Sequence, residues 1–314
     1  MTSSITRRIK SKAAELGFSK VGTAKIETLT AEGGRLLEWL ASGYNASMAW
    51  MEHDIAKRID PVNVQPNAKS VVCVALNYFT TIQISSLQKN VGRISRYALG
   101  DDYHLVMTNR LQELLYFIKS ELPGAEGKCY VDTGPVMDKA WAARAGIGWL
   151  GKHTNVITKE FGSWVFLGEI LLDAELEYDP PVLDQCGTCT ACIDACPTQA
   201  IIKPYLLDSA KCISYLTIEH RGDLPNKLAS KLDNWIYGCD ICQDVCPWNR
   251  FQKETEEEAF KPRKENVAPK LEDIIGMEQT EFSGRFKDSA IKRTKLIGLV
   301  RNAKAVLESQ GTSS

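Results

Sequence analysis

Seven of the ten cysteines in this 314-residue chain fall into two short runs. Cys186, Cys189, Cys192 and Cys196 follow the spacing C-x2-C-x2-C-x3-C and are closed by Pro197. Cys239, Cys242 and Cys246 follow C-x2-C-x3-C and are closed by Pro247. An eighth thiol, Cys212, stands alone between the runs. Thiols packed this densely call for a bound metal, and where metal holds a segment together the metal dictates its fold.

Four-cysteine zinc sites also use C-x2-C pairs, but zinc needs neither the third cysteine of the first run nor a final Cys-Pro in both. The spacing is similar to the bacterial ferredoxin pattern, in which the fourth cysteine of a run ligates the other cluster. That crossover predicts two [4Fe–4S] clusters, one on Cys186, Cys189, Cys192 and Cys246 and the other on Cys196, Cys212, Cys239 and Cys242. Residues 213–238 then form an insertion anchored at both ends by one cluster, a good place to present side chains to whatever lies beside it. Cys73 and Cys129 sit in apolar, strand-like contexts and read as small buried hydrophobes. Whatever else the chain does, it is expected to move electrons.

A hydrophobic content of 44% is ample for real cores. The formal net charge of −1 excludes a uniformly basic protein and leaves local basic patches open. No run of about 18 apolar residues is present, so no membrane span is predicted. Arg7 and Arg8 are followed by Ile9, Lys10, Ser11 and Lys12 rather than by an apolar export segment. Residues 4–16 read instead as an amphipathic helix with Ile5, Ile9, Ala13 and Leu16 on one side. The expected location is the cytoplasm, where reduced thiols are better explained by metal than by disulfides.

Up to about residue 177, strand-like runs at 20–24, 70–78, 129–131, 155–158 and 163–172 alternate with helical patterns at 29–41 and 103–122. This predicts an α/β layered domain, 1–177, with helices covering a sheet. Asp179, Pro180 and Pro181 stiffen the connection to a two-cluster domain at 178–250. Glu254 and Glu256, Glu257 and Glu258 read as a solvated linker opening a third region, 251–314, whose residues 271–307 are helical in pattern. Gly146, Gly148 and Gly151 have G-x-G-x-x-G spacing, but Lys152, His153 and a strand follow them, which is the wrong context for a dinucleotide fingerprint.

Several separated motifs carry a more specific resemblance. They are Ser95-Arg96-Tyr97 through Gly100, Asp102, Tyr103 and His104; Val131-Asp132-Thr133-Gly134-Pro135; and Ala143-Arg144-Ala145-Gly146-Ile147-Gly148-Trp149-Leu150-Gly151-Lys152. Ser214-Tyr215-Leu216-Thr217-Ile218-Glu219 and Gly238 through Pro247 complete the set. In this order they resemble the epoxyqueuosine reductases, over nearly the whole chain. The resemblance implies a nitroreductase-like α/β domain, a ferredoxin-like two-cluster module, and a cobalamin held between them. The implied reaction is reduction of epoxyqueuosine to queuosine at the wobble position of tRNA, with loss of the epoxide oxygen as water. It consumes two electrons, delivered singly through the clusters from a low-potential donor, and two protons. Asp102-Tyr103-His104 begins the D-x-H-x-x-G cobalt-ligand pattern, but Met107 replaces its glycine, which fits a cofactor without a protein histidine on cobalt.

The resemblance also implies residue roles. Asp132 is the expected proton donor, against the simpler reading of an Asx-turn at a strand end, with Asp138 as the alternative donor. Arg58, Ser95, Tyr97, Asp132, His153 and Val156 are expected to border the cofactor from the α/β side, and Ser214, His220, Arg221 and Asp240 from the cluster side. A basic footprint for the tRNA backbone is read at Arg285, Lys287, Lys292, Arg293, Lys295 and Arg301, for which a solvated helix face is the alternative. Two rivals remain: a reductive dehalogenase-type enzyme, whose exported members carry a twin-arginine signal that Arg7-Arg8 does not complete, and a plain electron-transfer protein.

Overall fold

The structure, a computed structural model, describes residues 2–82 and 89–311. Four strands make the central sheet: β1 (Lys20–Lys25), β2 (Ser70–Asn77), β4 (Gly127–Tyr130) and β7 (Val165–Leu172), in the order β1-β2-β7-β4. Every pairing in it is antiparallel. Alternation along a strand sends successive side chains to opposite faces. Val72, Val74, Leu76, Phe166, Ile170 and Leu172 therefore point to one side, under α1 (Thr2–Glu15) and α4 (Tyr103–Glu121). Val71, Cys73, Ala75 and Leu171 point to the other, under α5 (Asp138–Arg144). All eight residues of β2 are buried, as a strand covered on both faces must be.

The helix α4 shows how local chemistry builds this layer. Asp102 caps it, its carboxylate accepting the His104 N–H at 3.0 Å. Tyr103, Met107, Leu111, Leu114, Leu115 and Ile118 recur at helical spacing and are buried against the sheet. Pro123 stops the helix just after Leu122. Truncating Met107 or Leu111, both fully buried, would cost roughly 2–5 kcal/mol. The Asp102-Tyr103-His104 triplet is thus helix-capping chemistry. Residues 4–16 form α1 as expected, with Ile9 and Ala13 fully buried. Smaller elements line the same region: α2 (Thr30–Ala41), α3 (Ile55–Ile59), β3 (Arg93–Ile94), and the β5 (Trp149–Leu150) and β6 (Val156–Ile157) hairpin.

The cysteine runs fold around two short helices, α6 (Ala191–Asp194) and α9 (Ile241–Asp244), each followed after one residue by its Cys-Pro. Between them lie β8 (Ile201–Lys203), β9 (Leu206–Leu207), α7 (Ile213–Ile218), α8 (Asn226–Ala229) and β10 (Trp235–Tyr237). β10 pairs in parallel with β3, so the insertion is stitched to the first half of the chain.

One expectation is corrected and another, the helical C-terminal region, is borne out in several pieces. The acidic stretch keeps Glu254, Glu256 and Glu258 in solvent, but its backbone is docked rather than free. Thr255 donates its N–H to the Phe79 carbonyl at 2.8 Å and its hydroxyl to the Asn77 carbonyl at 2.7 Å. Glu257 pairs with Arg110, and Phe260 is buried in the main core. The C-terminal region is broken into α10 (Leu271–Ile275), α11 (Gln279–Arg285), a 3₁₀ turn (Ala290–Thr294) and α12 (Lys295–Gly311). Asp288 and Lys295, with φ of 51° and 62°, take left-handed backbone at the breaks. These elements share one core with the insertion: Leu216, Trp235, Ile236, Phe286, Leu299 and Ala303 pack together. Among the described residues no helix is long and apolar enough to cross a membrane.

Candidate active site between two thiol cages and a carboxyl wall

The eight thiols sort into two cavities. One of about 210 Å³ is lined by Cys186, Cys189, Cys192 and Cys246. The other, about 360 Å³, is lined by Cys196, Cys212, Cys239 and Cys242. These are the two quartets that the crossover of the runs predicts. Electrostatics tie the thiols together within each group and, through Cys192 and Cys242, across the two. Burial first, then Cys246, Cys186 and Cys189, push the Cys192 thiol up to about 11. Burial and then Cys212, Cys192 and Cys196 raise Cys242. Thiols raised in this way hold their protons until a metal takes them as thiolates, so the donor set suits iron–sulfur chemistry. The cage loops are braced from the α/β side. Lys152 donates its ammonium to the Gly187 and Cys189 carbonyls at 2.6 and 2.8 Å.

The larger cavity separates the second quartet from the sheet. Its apolar lining includes Val156, Val165, Leu167, Ile201 and Ile213, and its polar lining includes Ser95, Tyr97, His153, Ser214 and Gln243. His153 Nε2 and Gln243 Oε1 are buried without a hydrogen-bond partner among the described residues. His153 Nδ1 accepts the Asn155 N–H at 3.1 Å, which leaves Nε2 as the protonated nitrogen of a neutral ring. Burial, then Lys139, lowers its pKa to about 4, so the ring stays neutral in the cell. Buried, unpartnered polar atoms facing a cavity are the mark of a ligand site.

Asp132 follows β4 with φ of 52°; it is exposed and outside the cavity lining, but its charge reaches Lys139, which lines the cavity. Its carboxylate accepts the Tyr103 hydroxyl at 2.8 Å, which serves in place of the Asx-turn bond. Burial and then Asp132 hold the Tyr103 phenol well above its ordinary pKa, so it remains a donor. Thr154, lining the cavity opposite, also has left-handed backbone, φ 70°, which a β-branched residue seldom adopts. Its carbonyl accepts the Lys139 ammonium at 2.9 Å. Lys139 lines the cavity, and burial lowers its pKa against the opposing pull of Asp132 and Asp138. Below Asp132, burial and then Asp132 raise Asp138 to about 7, and Glu169 is raised further by burial and Asp138.

Not every expected residue reaches the cavity. Ser95, Tyr97, His153, Val156 and Ser214 line it. Asp240 is buried beside it, accepting from the Ser95 hydroxyl and, at 2.9 Å, from the Arg96 N–H. Arg58 stands off the lining, donating to the His53 and Trp50 carbonyls. His220 and Arg221 also stand off it, bonded to Asp223 and to Ile218 and Arg293 carbonyls. In the basic segment, Arg301 donates to the Leu216, His220 and Gly222 carbonyls and so braces the insertion. Arg285 is half-buried on the Glu265 carbonyl, and Arg293 pairs with Glu219 at 2.8 Å. Lys287, Lys292 and Lys295 are exposed. Tyr103, Lys139, Glu169 and Gln243 were not expected at the site. Glu169 had one visible signal, a lone acid inside an apolar strand run.

Two contacts lock the cysteine region onto the sheet. Asn249 accepts the Ser163 N–H at 2.7 Å while its amide donates to Ser163 Oγ at 3.1 Å. Gly162 allows this approach: a Cβ there would lie 1.9 Å from Asn249 Oδ1, and its φ is 60°.

Two thiol cages, the inner lining a cavity with Lys139 and His153, define a two-cluster iron–sulfur oxidoreductase. Comparisons with known proteins give the family. Residues 185–249 match the 4Fe-4S double cluster binding domain, and residues 58–133 match the family model described as epoxyqueuosine reductase QueG, DUF1730. The chain is 46% identical to the epoxyqueuosine reductase of Cellulophaga algicola, covering 94% of this chain and 95% of that one. It is 45% identical to the one from Atelocyanobacterium thalassa, covering 97% and 99%. The chain belongs to the epoxyqueuosine reductase family. Among solved structures, an epoxyqueuosine reductase with an epoxyqueuosine-modified tRNA-Tyr stem loop superposes with a TM-score of 0.92 at 34% identity, covering 97% of this chain and 81% of that one. A Bacillus subtilis epoxyqueuosine reductase, whose catalytic aspartate loop is swung out of the active site, superposes with a TM-score of 0.91 at 33% identity over the same shares.

Proposed function

We propose that this protein reduces epoxyqueuosine in tRNA to queuosine in the cavity between the second thiol quartet and Asp132, with cobalamin as the resident cofactor. The observation that carries this reading is the sorting of the eight cysteines into two quartets, the inner of which lines one cavity with Lys139, whose charge feels Asp132. Bound there, cobalamin supplies a low-valent cobalt nucleophile for opening the epoxide. The apolar row Val156, Val165 and Leu167 suits a flat macrocycle, and His153 Nε2 and Gln243 Oε1 supply a donor and an acceptor for its polar edge. The nitroreductase-like label for the sheet domain belongs to the same reading.

The residues divide the remaining work. Asp132 delivers a proton to the epoxide oxygen as the ring opens, which lowers the barrier to alkoxide formation. Tyr103 orients the carboxyl through its 2.8 Å bond, and the left-handed backbone at Asp132 turns that carboxyl out from the strand end. Lys139 offsets the negative charge left behind. Lys287, Lys292 and Lys295 are free to meet tRNA phosphates, which set orientation without reading sequence. An unidentified low-potential donor in the cytoplasm delivers electrons to the outer quartet, whose Cys189 is exposed. The test is to incubate the iron-reconstituted protein with cobalamin, a low-potential reductant and tRNA bearing epoxyqueuosine. Nucleoside analysis is expected to show queuosine only when all three are present; no queuosine with all present rejects the function.

A further inference from the structure

Glu169 is fully buried, and its carboxyl oxygens meet no donor among the described residues except the Asp138 carboxyl, close enough to share a proton with it. On β7 it shares a face with Val165 and Leu167, which line the cavity, so it is the next residue inward along that row. Its neighbours are known from each packed element. Cys73 on β2 and Tyr130 on β4 stand opposite it in register. Asp138, on α5, faces its carboxyl, and Asp132 adds negative charge from the end of β4. The nearest cation, Lys139, is committed to the Thr154 carbonyl and Asn155 Oδ1 rather than to this pair.

An ionised carboxylate in such a place would be uncompensated, and isolated buried charge is too costly to keep. Two facing carboxyls escape the cost by retaining a proton between them, because like charges at that range cannot both persist. Asp138 shares a hydrogen bond with Glu169 and feels the charge of Asp132. The chemistry proposed above needs such a device. Converting an epoxide to an alkene and water takes two electrons and two protons, and Asp132 carries one proton at a time.

We propose that Glu169, fully buried, and Asp138, half-buried beside it, form a proton store that reprotonates Asp132 within each turnover. The inference rests on the function proposed above. The first proton leaves Asp132 for the epoxide oxygen, giving a hydroxyl as the first carbon–oxygen bond breaks. The stored proton then passes from the pair to Asp132. From there it goes to the same oxygen, which departs as water when the second carbon–oxygen bond breaks and the alkene forms. The two electrons come from the low-potential reductant through the thiol side. The pair recovers its proton from solvent before the next substrate.

Glu169 and Asp138 are therefore positioning and supply residues rather than groups that touch substrate, and the test needs readouts beyond rate. Infrared spectra of the isolated protein at neutral pH are expected to show a protonated carboxyl stretch, slow to exchange in deuterium oxide and absent from Glu169→Gln. In the loaded enzyme, Glu169→Gln is expected to match the wild type at about pH 6 and to fall about tenfold behind at about pH 8, where solvent recharges Asp132 poorly. Asp138→Asn is expected to give the same pH-dependent loss and serves should Glu169→Gln not fold. A wild-type protein that converts no epoxyqueuosine rejects the function. Wild-type conversion together with an unchanged pH profile and an unchanged carboxyl band in either folded variant overturns the store alone.

Discussion

The two walls of the cavity are held by different forces. The outer cage is made of short loops around α6 and α9 with only a small cluster, Cys246 against Trp149 and Ile157, beside it, while the inner cage's Cys212 and Cys239 lean on the core of the insertion. The carboxyl wall is made of strand ends and a helix start, fixed by a four-stranded sheet with cores on both faces. The outer cage depends most on metal, and the carboxyl wall on hydrophobic burial. The difference separates the two commodities the reaction needs. Electrons arrive through groups that a bound cluster organises, whereas protons are held by carboxyls whose positions persist without it.

The sharpest break of this comparison is to remove one cage. Cys242→Ala is expected to abolish turnover and to lower bound iron by about half, since each quartet holds one cluster. Hydrogen exchange in that variant should quicken across residues 184–252 and stay slow in β2, β7 and α4. Equal loosening of both regions would show that the walls are not independent. Next in size is Asp132→Asn. Turnover should fall about 10²–10⁴-fold, while thermal stability stays within about 0.5 kcal/mol. Asparagine tolerates the left-handed backbone at this position, so a folding defect is not expected.

Asn249→Ala probes the seam between the walls. It leaves the Ser163 N–H without its acceptor, and stability by denaturant unfolding should drop about 1–3 kcal/mol. The smallest effect is in the pH dependence of stability. The folded-state pKa values of Asp138 and Glu169 lie above the unfolded ones. As pH rises from the ordinary carboxylate range, the unfolded chain therefore releases these protons first and is favoured. The contribution of the pair is complete at low pH and is lost as pH rises through about 7. Glu169→Gln should flatten this decline in pH-dependent melting curves.

The two walls were also unequally legible in the sequence. The thiol wall is written locally: spacing, the Cys-Pro endings and the lone Cys212 suffice to assign both quartets. The first helix and the strands of the sheet were likewise visible in their apolar periodicity, but the order β1-β2-β7-β4 was not, because antiparallel neighbours distant in sequence leave no local signal. Asp132 was reached through its motif; Tyr103 stood in another of the motifs without a role, and Lys139 carried no signal at all. Glu169 carried its signal in the period-2 pattern, sharing a face with Val165, Leu167 and Leu171. The basic segment misled most. A lysine- and arginine-rich helical stretch does not reveal which side chains turn inward, and Arg301 turns in to brace three carbonyls.

The division of labour between the walls can be read in one single-turnover measurement. Reduced, cobalamin-loaded wild-type and Asp132→Asn proteins are mixed with epoxyqueuosine-bearing tRNA, following cluster absorbance and queuosine together. The account predicts that both proteins accept electrons equally from the reductant, and that only the wild type couples their loss to rapid queuosine formation. Queuosine formed at the wild-type rate by Asp132→Asn would contradict it.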